Sequence, residues 1–209
     1  MQVQSITYLF FKRIVDIILS LIALFLLSPI FIIIIGLYKF ADPHQSVFYK
    51  QRRVGKHHKM FYIYKFRTMI PNADAVLHAD KALYAKFVAN GYKLPTAEDP
   101  RITKFGAWLR KSSVDEIPQF INVLKGEMSI VGPRPIVEDE LVEYGNNVNV
   151  FLSVKPGAMG LWQATGRSNI EYPERADLEL SYVQDASFWF DCKIMFMTLI
   201  SIIKSDGAF

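Results

Sequence analysis

Residues Ile14–Leu37 read IVDIILSLIALFLLSPIFIIIIGL, a 24-residue apolar run interrupted mainly by Asp16, Ser20, Ser28, Pro29 and Gly36. A straight helix of that length would be about 36 Å long, enough to cross a hydrocarbon core of about 30 Å. The run is long for a secretory signal and no A-x-A-like cleavage site follows it, so a retained membrane segment is expected. Two topologies fit these residues. One is a spanning helix that tolerates its proline. The other is a re-entrant helix–break–helix that enters and leaves through one leaflet. Two features favour the second. Lys12 and Arg13 precede the run and a basic block follows it, and basic flanks belong on the cytoplasmic side. Pro29 removes a backbone N–H and clashes with the carbonyl of Phe25, so a kink is expected at Ser28-Pro29. The Ser28 hydroxyl can satisfy a carbonyl freed there. The limbs Ile14–Leu27 and Pro29–Phe40 would measure about 21 and about 18 Å, each too short to cross alone. Residues 1–40 are thus expected as a membrane anchor and residues 41–209 as a catalytic domain at its cytoplasmic face.

The 209 residues suffice for one domain with a real core, and a hydrophobic share of 51% argues against disorder. The single cysteine, Cys192, excludes an intrachain disulfide and a cysteine-based metal site. Charge is unevenly placed. Between Lys39 and Arg67 stand eight basic residues (Lys39, Lys50, Arg52, Arg53, Lys56, Lys59, Lys65, Arg67) and one acid, Asp42. That segment carries +7 where the whole chain carries +4, which leaves −3 for the remainder. A basic block on a mildly acidic protein points to an anionic partner, such as lipid headgroups, substrate phosphates or nucleic acid.

The rest of the chain reads as one α/β domain of α+β character, mostly helical. Val47–Tyr49 and Met60–Phe66 are expected as strands around a basic turn, Lys50–Lys59. Asn72–Asn90 has helical periodicity and Gly91 stops it. Ile102–Leu109 reads as a short helix or turn, and Ile117–Leu124 as an amphipathic helix ended by Gly126. Met128–Val131 is expected as a strand running into Gly132-Pro-Arg-Pro135, a rigid turn. Glu138–Tyr144 is expected to be helical, Lys155–Gly160 a turn, and Ala186–Ile203 an amphipathic helix for the core or the membrane interface.

Asp115-Glu116 are adjacent carboxylates just after Arg110-Lys111. Ser113-Val-Asp-Glu116 matches a helix capping box, and an alternative start makes Asp115 the N-cap; either role would be structural. The pair also has the chemistry to hold Mg²⁺ beside substrate phosphates, and one carboxylate could attack phosphorus. Arg134, between two prolines, is the arginine best aimed for bidentate phosphate recognition. Lys65 and Arg67 alternate with Phe66 and so share a strand face, where a phosphate or the headgroup layer would meet both. Gly166-Arg167 could bring a further guanidinium to a ligand. His57-His58 are adjacent, without a third ligand nearby, and do not make a metal site. No glycine-rich phosphate loop, G-x-S-x-G elbow or zinc spacing is present.

Together these stretches resemble the bacterial sugar transferases, the monotopic phosphoglycosyl transferase family. The resemblance is carried by Lys65-Phe-Arg-Thr-Met69, Asp99-Pro-Arg-Ile-Thr103, Leu109-Arg-Lys-Ser-Ser-Val-Asp-Glu-Ile-Pro-Gln119, Asn122 through Pro135, Lys155-Pro-Gly157, Gly160-Leu-Trp-Gln163 and Gly166-Arg167. The N-terminal helix with Ser28-Pro29 resembles the family's re-entrant anchor. The chain looks like the small, catalytic-domain-only form. The resemblance implies that Asp115 is the nucleophile on the sugar-linked phosphate of a UDP-sugar, that UMP leaves, and that polyprenyl (undecaprenyl) phosphate then takes the phosphosugar. It implies Glu116 as the partner of Asp115 at an Mg²⁺ site, Arg110 and Arg134 at phosphate, and Arg167 near the nucleotide. Glu179 stands where many relatives have aspartate, which puts the role of that acid in doubt. The wording around Leu161-Trp162-Gln163 favours a galactose or glucose donor over an N-acetylated sugar. The implied setting is the bacterial inner membrane and the first membrane step of exopolysaccharide, capsule or lipopolysaccharide assembly. Membrane lipids are partners and a homodimer is among the assemblies it allows.

Two readings from other classes compete with this one. A membrane-anchored nucleic-acid-binding protein would exploit the basic block, but the acidic pair and acidic remainder argue against nucleic acid as partner. A non-catalytic anion-binding scaffold would not need Asp115, Glu116 and Arg134 together.

Overall fold

The computed structural model describes residues 4–41, 43–92, 94–165 and 170–204, with side chains described up to residue 201. Its dominant element is α1, Ile6–Ala41, a single helix of 36 residues that contains Pro29. The two expected limbs lie within this one unbroken helical run. The reason is local. Pro29 orphans the carbonyl of Phe25, and the Ser28 hydroxyl donates to that same oxygen at 2.7 Å. Along α1 the outward residues are apolar, with Phe25, Leu26, Ile32 and Ile33 all exposed. By length and composition it could cross a membrane.

An antiparallel hairpin follows. β1, Phe48–Val54, pairs with β2, Met60–Phe66, from Phe48↔Phe66 to Val54↔Met60. Lys50, Arg52 and Arg53 therefore lie on a strand, and the turn is only Gly55–Lys59. The sequence assigned those cations to the turn because charge masked an otherwise β-forming stretch. The region expected as one helix over Asn72–Asn90 is two, α2 (Ala73–Ala79) and α3 (Lys81–Ala89). Asp80 breaks it by accepting from the N–H groups of Ala82 and Leu83, both at 3.0 Å.

Helix α4, Lys104–Lys111, starts at Thr103, whose hydroxyl accepts from Gly106 N–H at 2.9 Å. Gly106 lets α4 lie directly on the strand end, since a Cβ there would stand 1.9 Å from the Thr68 carbonyl oxygen. A 3₁₀ turn, Val114–Glu116, leads to α5, Gln119–Lys125, which Gly126 ends in the left-handed region. Strand β3, Ser129–Val131, pairs in parallel with β4, Gly157–Met159. The stretch expected as a turn at Lys155–Gly160 is thus partly strand. Three residues were too few for periodicity to reveal it. Between them lie a 3₁₀ segment, Glu138–Asn147, and α6, Val148–Phe151. The chain closes with α7 (Leu161–Thr165), α8 (Glu174–Asp185) and α9 (Phe188–Lys204).

The core gathers Phe61 and Ile63 of β2, Val123 of α5, Met128, Ile130 and Val131 around β3, Tyr182 and Val183 of α8 and Ile194 of α9. Helix α9 has two faces. Ile194 is buried, while Trp189, Phe196 and Leu199 are exposed. Helix α1 is fastened to this body at both ends. Near its start, Arg13 donates to the carbonyls of Val123 (2.5 Å) and Leu124 (2.7 Å), capping the C-terminus of α5. Lys12 pairs with Asp191 at 2.6 Å, and Asp16 accepts from Ser129 Oγ and Ile130 N–H. Near its end, Ile34 and Tyr38 pack with Val47, Phe66 and Leu109, and the Tyr38 hydroxyl donates to the Arg67 carbonyl.

Candidate active site

Strand β2, the C-terminal end of α4 and the turn before α5 converge on the acid pair. The turn begins at Ser113, which adopts a left-handed conformation (φ 57°). Ser113 stands at the N-cap of the 3₁₀ turn without a side-chain capping bond, and Pro118, not Asp115, occupies the N-cap position of α5. The capping readings fail for that reason, and both carboxylates are released for other contacts. Asp115 is buried. Glu116 is bound by Lys65, whose Nζ lies 2.6 Å from Oε1, and it also accepts from the Gln119 side chain.

The two acids titrate in opposite directions. Burial and the adjacent Glu116 push Asp115 up to about 6, against the pull of Lys65 and Arg110. Lys65 and Arg134 hold the half-buried Glu116 down to about 2 against the partial loss of its hydration. A carboxylate that shares its proton near neutrality beside one that stays charged is the arrangement of paired functional acids.

The cations around them are placed by identifiable contacts. Arg110 Nε donates to Thr68 Oγ1 at 3.1 Å, and Asp115 is its leading electrostatic partner. Arg134 leaves the Gly132-Pro-Arg-Pro135 turn with its guanidinium 5.3 Å from the Trp162 ring, within electrostatic reach of Glu116. Arg67 is drawn aside. It hydrogen-bonds Gln45 and lies 5.2 Å from the Tyr38 ring, whereas Lys65 on the same strand pairs with Glu116. Arg167 lies outside the described residues. Tyr38, at the end of the apolar helix, is within electrostatic reach of Asp115 and joins that helix to the site.

Several supporting residues carried no individual signal in the sequence. Asn122 is fully buried and locks α5 to β2, accepting from Tyr64 N–H at 3.0 Å and donating to the Tyr62 carbonyl and Glu127, both at 2.7 Å. Asp99 and Arg101 form a buried two-pronged pair, 2.7 Å at each contact, beneath Arg110. The recurrence of these residues inside the quoted motifs was the available clue.

Among the described residues no group of three or more His, Cys, Asp or Glu gathers as for a metal. Mg²⁺ does not require one, since it binds one or two carboxylates and completes its shell with phosphates and water. The donor set fits. Asp115 and Glu116 are hard oxygen ligands, and a divalent cation would relieve the charge that burial opposes on Asp115.

A sequence profile of the bacterial sugar transferases matches residues 7–205. The exopolysaccharide production protein ExoY of Sinorhizobium fredii is 42% identical over 95% of this chain and 88% of its own length. The undecaprenyl-phosphate galactose phosphotransferase of Salmonella typhimurium is 41% identical over 96% of this chain, which spans 42% of that protein. The UDP-glucose:undecaprenyl-phosphate glucose-1-phosphate transferase of Escherichia coli is 36% identical, and the chain spans 41% of it. The match runs through the apolar helix, the acid pair and the arginines alike, and the chain belongs to the bacterial sugar transferase family.

Proposed function

We propose that this sugar transferase moves a hexose-1-phosphate from a UDP-sugar to polyprenyl phosphate, with UMP as the leaving group and Asp115 as the nucleophile. The observation that carries this reading is the buried Asp115 carboxylate, half-protonated near pH 6 and flanked by Glu116 and Arg110. A carboxylate oxygen of Asp115 forms a bond to the sugar-linked phosphorus as the bond from that phosphorus to the bridging oxygen breaks. The electron pair leaves on UMP. The polyprenyl phosphate oxygen then attacks the same phosphorus, and the bond to Asp115 breaks to restore the carboxylate. Arg110, Arg134 and Lys65 lie where they can bind and orient phosphate oxygens. Asp115 and Glu116 would hold Mg²⁺, which when bound supplies charge neutralisation at the diphosphate. The galactose- and glucose-specific names of two relatives support a hexose donor. The name of the Sinorhizobium relative supports a place in exopolysaccharide assembly.

The anchoring pattern supports a re-entrant α1 at the cytoplasmic face. Arg13 and Tyr38 are held by α5 and by the end of β2, two neighbouring elements of one body. A spanning α1 would carry those two attachments to opposite sides of the bilayer. The exposed apolar faces of α1 and α9 then enter the leaflet together.

The deciding experiment is intact-protein mass after incubation with UDP-galactose, UDP-glucose and UDP-N-acetylglucosamine plus Mg²⁺, without lipid acceptor. Wild type gains one sugar-phosphate and Asp115→Asn gains nothing. An adduct that persists in the variant reassigns the nucleophile. Absence of both adduct and UMP release with every donor, polyprenyl phosphate included, favours a non-catalytic anion-binding protein.

A further inference from the structure

Arg134 is held at both its ends by a buried group that touches neither acid. At the main chain, its N–H faces the Glu179 carboxylate, which is 1% exposed and also accepts from Tyr144 OH at 2.9 Å. At the side chain, its guanidinium lies against Trp162, 5.3 Å from the ring. A second arginine, Arg175, lies against that same ring at 4.8 Å and against Tyr172 at 4.7 Å. Arg175 is 2% exposed and is neutralised by Glu140 at 3.3 Å and, less closely, by Glu179 at 3.8 Å.

Two guanidiniums on one indole repel each other, so the arrangement needs its buried acids. Glu140 pairs with Arg53 and Arg175, Glu179 faces both Arg175 and Arg134, and the Arg134 charge also acts on Glu116. Glu179 bridges Arg175 to the Arg134 main chain. An aspartate there would end one methylene short of that span.

We infer that Glu179, Arg175 and Trp162 are positioning residues that fix the direction of Arg134 toward the donor's phosphates. The inference rests on the transfer reading above. The ion pairs and hydrogen bond of Glu179 and Arg175 are made with Glu140, Tyr144 and each other, and all three residues act through Arg134. Removing Glu179 releases the turn, and Arg134 loses its orientation without losing its charge.

The test uses the full chain in detergent or nanodiscs. Glu179→Gln lowers kcat/KM for the UDP-sugar by tenfold or more (about 1.4 kcal/mol), and causes no further loss in an Arg134→Ala background. Trp162→Leu behaves the same way and Trp162→Phe, which keeps a ring, restores most of the rate. Equal losses in both backgrounds would make the role merely structural and overturn the inference. A second measurement needs no turnover. In ¹⁵N-arginine spectra, the Arg134 Nε–H resonance, assigned by its loss in Arg134→Lys, moves to the free-arginine position in Glu179→Gln and in Trp162→Leu. An unmoved resonance in both variants also overturns the inference. A shifted resonance in a wild type that turns over no UDP-sugar keeps the brace and defeats the transfer reading instead.

Discussion

Lys65 Nζ lies 2.6 Å from Glu116 Oε1, where the last residues of β2 meet the turn before α5. This contact joins the hairpin to the acid pair and, on the proposed reading, engages Glu116 and leaves Asp115 as the nucleophile. Replacing Lys65 by Ala removes the charge that holds Glu116 low, so the two carboxylates then compete for one proton. Transfer activity falls by about 100-fold. Stability changes little, because the pair is partly exposed. UMP release and a melting curve on the same sample separate the two effects.

Asp115 contributes a pH dependence of predictable sign. Burial lifts its pKa in the folded chain to about 6, above the ordinary value of 3.8, so the folded state binds more protons than the unfolded one between these values. The contribution of this group to stability is therefore greatest at low pH and is lost as pH rises through 6. Asp115→Asn removes that cost. The variant is inactive, yet with EDTA present it melts roughly 2–6 °C above wild type at pH 8 and shows no such gain at pH 4. A lower melting temperature at pH 8 would mean that the ionised carboxylate is stabilised by neighbours.

Asp99→Ala leaves Arg101 buried without its carboxylate. Loss of one partner of a buried pair costs about 3–5 kcal/mol, and Arg110 loses the floor on which it rests. The variant unfolds at a temperature lower by 8 °C or more, or accumulates poorly. Replacing Asp99 and Arg101 together by Leu and Met recovers a large part of the stability. Circular dichroism melts of single and double variants check both outcomes.

Topology is tested with single cysteines in a Cys192→Ser background. Cysteines at Ser5 and at Ser46 flank α1. With α1 re-entrant, a membrane-impermeant maleimide labels both positions only when the cytoplasmic side is opened. Labelling of one position from outside intact cells would establish a spanning helix.

Much of the scaffold was legible in sequence because its signals are local. Gly91, Gly126 and the Gly132-Pro-Arg-Pro135 turn punctuate the chain by backbone chemistry that needs no partner. Periodicity predicts one helix over Asn72–Asn90 because it does not register a carboxylate, Asp80, that caps in mid-run. It gives no sign of β4, since three residues show no alternation. At the site, Asp115, Glu116, Arg110, Arg134 and Lys65 all converge as expected. Arg67 does not, since its fate depends on Gln45 and Tyr38, which reach it only through tertiary folding. The same holds for Glu179, which meets Tyr144 and the Arg134 main chain from two other segments of the chain.

Tyr38 closes the apolar helix, hydrogen-bonds the main chain at Arg67 and lies within electrostatic reach of Asp115. On the proposed reading, the depth of the helix in lipid and the height of the Asp115 carboxylate are therefore one mechanical coordinate. On the proposed reading, an acceptor that diffuses laterally meets Asp115 at the plane of its own phosphate. The search for it is two-dimensional, and a change in bilayer thickness would tilt α1 and be felt as a change in reaction rate.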